Sequence, residues 1–144
     1  MKGKEIHILL VEDNEGDVVL AREALKEARI KNMITVITDG EKALEYLFCK
    51  ENFKNSRLPD LILLDMNLPK VNGMEVLAKI KADEMLKIIP VVMLTTSTSE
   101  QDVKDAYRNY VNCYINKPIN LEEFINVIKN IENFWLNTVK LPAN

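Results

Sequence analysis

Five polar residues stand where apolar runs stop, and their types could do chemistry together. Glu12 and Asp13 follow Ile8-Leu9-Leu10-Val11, and Asp65 follows Leu61-Ile62-Leu63-Leu64. Thr95 follows Val91-Val92-Met93-Leu94, and Lys117 follows Tyr114-Ile115-Asn116. If the runs are parallel strands of one sheet, their carboxyl ends gather three carboxylates, a hydroxyl and an ammonium at one edge, where open parallel sheets bind ligands. Crowded carboxylates repel unless a cation sits among them, so the pattern points to a metal site beside a reactive anion.

A carboxylate can accept a phosphoryl group as a mixed anhydride. Asp65 is the best acceptor because it ends the most apolar run, expected at the centre of the sheet. Phosphoryl transfer asks mainly for charge neutralisation and alignment. Glu12 and Asp13 could hold Mg²⁺ beside Asp65, an ion that uses one or two carboxylates at about 2.1 Å and keeps several waters. Thr95 could hydrogen-bond a phosphoryl oxygen, and Lys117 could pair with another. Taken alone, Glu12-Asp13 would read as acids at a helix N-terminus. Their coincidence with Asp65, Thr95 and Lys117 favours the metal.

The elements that must position these residues alternate strictly. Strand-like runs over about 6–11, 33–38, 61–65, 91–95 and 111–116 are each followed by a segment of helical period. The first helix is expected over about 15–28, with Val18, Val19, Ala21, Ala24, Leu25 and Ala28 on one side and Asn14 as its cap. Asp39-Gly40 turns the chain into a second helix, and residues from about 50 to 58 form a polar connection. Gly73 opens a third helix to about Glu84, Ser99 with Asp102 caps a fourth, and Asn120 with Glu123 caps a fifth running to about Val139. Alternation of this kind implies parallel strands joined by right-handed crossovers. The third and fourth runs are nearly all apolar, as central strands are; Thr35, Thr38, Asn112 and Asn116 suit edges. The expected fold is α/β, a flavodoxin-like doubly wound five-stranded parallel sheet of order 2-1-3-4-5 in three α/β/α layers.

Composition agrees. The 144 residues fit one domain (1–144), with 47% hydrophobic and 28% charged residues and a net charge of −3. No basic patch invites nucleic acid, and no run approaches the roughly 20 apolar residues that span a bilayer. The N-terminus is not a cleavable secretory signal. Cys49 and Cys113 lack metal-ligand spacing and read as free thiols in a reducing cytoplasm. His7, inside the first strand, reads as structural.

The motifs Val11-Glu12-Asp13-Asn14, Asp65-Met66-Asn67-Leu68-Pro69 with Gly73 beyond, Thr95-Thr96-Ser97 and Tyr114-Ile115-Asn116-Lys117-Pro118 resemble those of response-regulator receiver domains of two-component signalling. The resemblance covers nearly the whole chain. It implies that Asp65 takes a phosphoryl group from a phosphohistidine on a sensor histidine kinase or hybrid kinase. It implies Mg²⁺ held by Glu12, Asp13, Asp65 and the backbone carbonyl of Asn67, with Glu12 reaching it through water. Thr95 and Lys117 would contact the phosphoryl group, Tyr114 would be the switch aromatic, and Met66, Thr96, Ser97 and Pro118 would line the site. It further implies a cis Lys117–Pro118 bond. By itself, Tyr114 would read as half-buried packing. Val92-Met93-Leu94-Thr95-Thr96-Ser97, Asn112-Cys113-Tyr114 and Phe134-Trp135-Leu136 also look like single-domain regulators paired with phytochrome-type and hybrid kinases.

Few residues follow the last helix, so the expected output is a partner interaction or onward relay. That helix carries surplus apolar surface at Val127, Phe134 and Val139 beside the stripe Phe124, Ile128, Ile131 and Trp135. Its extension and the tail, about 134–144, either form a two-fold dimer contact or cover their own core. Two other functions are weighed. An aspartyl-phosphate hydrolase needs a general acid two residues after the nucleophile, where Asn67 stands. A pseudo-receiver binding partners without phosphorylation would not need all five site residues.

Overall fold

The computed structural model describes residues 5–28, 31–48, 58–96, 99–117 and 120–131. Cys49, Ser97, Pro118 with its peptide bond, and residues 134–144 with Phe134, Trp135 and Val139 lie outside the described residues.

The first strand, β1 (Ile6–Val11), leads into helix α1 (Glu15–Lys26), and β2 (Asn32–Ile37) into α2 (Gly40–Leu47). Then follow β3 (Leu61–Asp65), α3 (Gly73–Ala82), β4 (Val91–Thr95), α4 (Glu100–Arg108), β5 (Cys113–Asn116) and α5 (Leu121–Ile131). The strands form one sheet in the order β2-β1-β3-β4-β5, every neighbouring pair parallel. This is the expected flavodoxin-like topology, with β3 in the middle.

Alternation along the buried strands divides the core. Leu9, Val11, Ile62, Leu64 and Met93 pack with Ala43, Leu47, Val76, Leu77, Ile80 and Ala106 of α2, α3 and α4. Ile8, Leu10, Leu61, Leu63, Val92 and Leu94 pack with Ala21, Ala24, Leu25, Phe124, Ile128 and Ile131 of α1 and α5. Each fully buried aliphatic side chain contributes about 1.5–3 kcal/mol. Truncating Leu63, which is 0% exposed, to alanine would cost about 2–5 kcal/mol.

Each helix begins on a side-chain cap. The side-chain oxygens of Asn14, Asp39, Asn72, Ser99 and Asn120 accept from the backbone N–H three residues on, at 3.0, 2.7, 3.0, 3.3 and 2.8 Å. Such a cap is worth about 1 kcal/mol. The caps set where each helix leaves the carboxyl edge of the sheet, the edge that carries the polar residues.

Several boundaries differ from expectation. The first helix stops at Lys26 because the N–H groups of Glu27 and Ala28 fold back onto Ala24 and Leu25 carbonyls in a tighter turn. Val19 points outward, 57% exposed, and is not on the core stripe. The third helix stops at Ala82, since Asp83 is extended and its carboxylate takes the N–H groups of Met85 and Leu86. The last strand starts at Cys113 because the Val111 N–H returns to Ala106 and closes α4. Cys113 is a free, half-buried thiol whose pKa burial pushes up. His7 is buried, its Nε2 2.9 Å from Thr35 Oγ1 and 3.3 Å from the Tyr46 hydroxyl, as a structural residue should be.

Candidate functional site

The site assembles where β1, β3, β4 and β5 end. By strand alternation Asp65 falls on the α1/α5 side of β3, and Glu12, just past Val11, continues the same phase. Glu12 and Asp65 are buried, at 3% and 6% exposure, whereas Asp13 is open to solvent. Ligand oxygens of Glu12, Asp13 and Asp65 all lie within 4.8 Å of one another. An all-oxygen donor set with one open side suits a hard divalent cation such as Mg²⁺.

Lys117 enters from just beyond β5. Its backbone N–H donates to the Thr95 carbonyl at 2.7 Å, which fastens the end of β5 to the end of β4. Its ammonium donates to Glu12 Oε1 at 2.6 Å and to Asp17 Oδ2 at 2.8 Å, and lies 3.7 Å from Asp65 Oδ1. The lysine therefore leans toward Glu12 and Asp17 and pairs with Asp65 only at longer range. Burial alone would lower its pKa, but the hydrogen bonds to Asp17 and Glu12 and the charges of Glu12 and Asp65 outweigh it, and the net shift is upward.

The carboxylates feel the opposite pressure. Burial, with the Asp65 charge, pushes Glu12 up to about 7, against the lowering pull of its Lys117 hydrogen bond. Burial also raises Asp65, opposed by Lys117, by a hydrogen bond with Glu12 and by the Asn67 N–H. The cluster thus holds more negative charge than one lysine neutralises, which is the condition a divalent cation relieves.

The loop after Asp65 is tightly held. Gly73 N–H donates to the Met66 carbonyl at 2.8 Å, and Val71 and Gly40 N–H groups both donate to the Pro69 carbonyl, at 2.9 and 3.2 Å. A Cβ on Gly73 would lie 2.1 Å from the Asp65 carbonyl oxygen, and one on Gly40 would lie 1.7 Å from the Val71 carbonyl oxygen. Both positions require glycine because another backbone occupies the space a side chain needs.

Thr95 is fully buried at the end of β4, Thr96 is exposed, and Asn67 is exposed beside Asp65. Met66 and Tyr114 are partly buried against the α2/α3/α4 core, Tyr114 in register with Met93. The structure thus brings Glu12, Asp13, Asp65 and Lys117 into one cluster with Thr95 at its rim. Asp17 was missed. Its backbone N–H takes the Asn14 cap, and that local role accounts for an acid in a first helical turn without any tertiary partner. The signal that could have found it is the phase of Glu12 and Asp65, which face the layer whose helix α1 carries Asp17 in its first turn.

A model of the response regulator receiver domain matches residues 8–129. The chain is 48% identical over 136 residues to the response regulator Rcp1 of Synechocystis, covering 94% of this chain and 92% of that protein. Among solved structures, it resembles the phosphorylated cyanobacterial phytochrome response regulator RcpA, at 46% identity, TM-score 0.92 and coverage of 97% and 100% of the two chains. It also resembles the Mn²⁺-bound form of response regulator Rcp1, at 48% identity, TM-score 0.89 and coverage of 96% and 99%. With a family match over most of its length, a relative of nearly half identity and an acidic cluster that fits a divalent cation, the chain belongs to the response regulator receiver domain family.

Proposed function

We propose that Asp65 is the phosphoacceptor of a stand-alone receiver served by a sensor histidine kinase or hybrid kinase. One observation carries the reading: a buried carboxylate at the end of the central strand, grouped with Glu12 and Asp13 and 3.7 Å from the Lys117 ammonium. Asp65 Oδ attacks the phosphorus of a phosphohistidine; a P–O bond forms as the P–N bond breaks, and its electron pair returns to the imidazole. Glu12, Asp13, Asp65 and the Asn67 carbonyl would hold Mg²⁺, which when bound neutralises charge spreading over the phosphoryl oxygens. Lys117 and the Thr95 hydroxyl receive phosphoryl oxygens, and Tyr114 follows Thr95 as the aromatic reporter. Met66 and Thr96, which flank Asp65 and Thr95, would line the site.

The domain assists only its own phosphorylation and dephosphorylation. Its output is a changed partner interaction or onward relay in the cytoplasm, with no direct role for nucleic acid. Among the described residues no helix is long and apolar enough to cross a membrane. The similarity to phytochrome regulators supports a light-sensing kinase as the donor. A homodimer through the α5 region is a further part of the proposal, and the exposed Tyr107 of α4 and Tyr110 just beyond it add apolar surface for such a contact. Sedimentation of the full chain against one ending at Asn133 tests it; a monomeric mass for both removes it.

The central test is labelling by acetyl phosphate with Mg²⁺, read by intact mass. Wild type should gain one phosphoryl group and Asp65→Asn none. Labelling that survives in Asp65→Asn, or never appears in wild type, overturns the assignment.

A further inference from the structure

Asp17 stands outside the metal triad, yet its Oδ2 is 2.8 Å from Lys117 Nζ, closer than Asp65 at 3.7 Å. The ammonium is thus shared between Glu12 and Asp17, and these two carboxylates are not equivalent partners. The Glu12 side chain is 4% exposed and the Asp17 side chain 30%. When a phosphoryl group on Asp65 draws Lys117 across, an abandoned Glu12 would be a buried charge, and costly. An abandoned Asp17 is rehydrated by solvent and stays stabilised by the N-terminus of α1. Asp17 is therefore the partner that Lys117 can leave.

We propose that Asp17 is a positioning residue that holds the Lys117 ammonium off Asp65 before phosphorylation and competes with the incoming phosphoryl group for it. The proposal rests on Asp65 being the acceptor. Its consequence is specific to ligand binding. Removing the Asp17 charge frees Lys117 for the phosphoryl oxygens without touching the Glu12, Asp13 and Asp65 oxygens. A purely local role as a helix N-terminal acid predicts a change in stability and nothing more.

The experiment uses the full chain as wild type, Asp17→Asn and Asp17→Glu. Beryllofluoride is titrated at saturating Mg²⁺ and followed by NMR, and initial rates of labelling are measured against acetyl phosphate concentration. Asp17→Asn should tighten beryllofluoride binding and lower the acetyl phosphate KM by about fivefold, the scale of one part-exposed charged hydrogen bond. The maximal rate and the Mg²⁺ affinity should move less than about twofold on that scale. Asp17→Glu, which keeps the charge, should return toward wild type. The proposal is overturned if Asp17→Asn leaves both constants unchanged, if Asp17→Glu behaves like Asp17→Asn, or if Mg²⁺ affinity shifts in parallel. A wild type that neither binds beryllofluoride nor takes the label removes the role of Asp65, and this proposal with it.

Discussion

Two lysines serve opposite ends of the same sheet, and their surroundings differ in kind. Lys117, at the carboxyl edge, faces Glu12, Asp17 and Asp65 at 2.6, 2.8 and 3.7 Å. Lys81, on α3, reaches the amino edge, where its ammonium donates to the Lys87 and Ile89 carbonyls and to Asn112 Oδ1 at 3.0, 2.9 and 3.1 Å. Asn112 Oδ1 also accepts the Val91 N–H at 2.8 Å, so Lys81 helps bind the starts of β4 and β5 together. Its acceptors are neutral and two are backbone, hence fixed. Those of Lys117 are ionisable, more numerous than it can neutralise, and unequally exposed. A satisfied lysine builds structure; one among competing anions can be moved by another anion.

The sharpest way to break this contrast is to remove each lysine. Lys117→Ala should slow labelling by acetyl phosphate on the order of 10²-fold, as loss of a charged group facing the transferred oxygens does. Lys81→Met should leave that rate within about twofold but lower the unfolding free energy by about 1–3 kcal/mol, by stranding its acceptors. Urea denaturation of both variants beside the rate assay checks the separation. A slow but stable Lys81→Met would erase it.

Changing pH tests the two ends separately. Glu12 titrates near 7 in the fold against an ordinary 4.5, because of burial, and Asp65 shifts in the same direction. The folded state therefore keeps protons that the unfolded chain releases, and the stability this confers is lost as pH rises from about 4.5 through about 7. Mg²⁺ must displace those protons, so its affinity should climb with pH up to about 7 and its presence should abolish the fall in stability. At the other edge, burial draws Lys81 down to about 8, so between about 8 and 10.5 the unfolded chain holds the extra proton and stability from this residue rises with pH. Urea midpoints at pH 5.5, 7.5 and 9.5 (with and without Mg²⁺) read both trends; a Mg²⁺ affinity flat across pH 5.5–7.5 contradicts the first.

The smallest effect belongs to an exposed lysine. Lys26 pairs with Glu23 at 3.2 Å, with side chains 70% and 49% exposed. Glu23→Ala should change stability by less than about 0.5 kcal/mol and labelling not at all. A larger loss in the same urea assay would mean that exposure is a poor guide to which lysine matters here.

The fold was legible because its signals are local. Runs such as Leu61-Ile62-Leu63-Leu64 and caps such as Asn14 and Asn120 state an element's type within a few residues. The cluster was legible for a related reason: parallel strands end at one edge, so Glu12, Asp13, Asp65, Thr95 and Lys117 meet wherever their side chains point. Asp17 and Lys81 were not legible, because both act through the rotation of a helix against the sheet. That rotation is set by packing of the whole layer. Within its own helix Asp17 is only an acid in the first turn, and Lys81 only a cation in the last turn. The early end of the third helix at Asp83 was hidden too, since it depends on a side chain bonding its own following turn.

The two glycines that clamp the loop after Asp65 have a thermodynamic consequence. With Gly40 and Gly73 admitting neighbouring backbone, and Pro69 and Met66 carbonyls already bonded, the loop carrying Asn67 is ordered when the protein folds. Fixing a residue's backbone costs about 1–2 kcal/mol, and here that entropy is lost before any cation arrives. Ion binding therefore meets a preorganised wall, and its free energy reflects charge and dehydration rather than ordering of the chain.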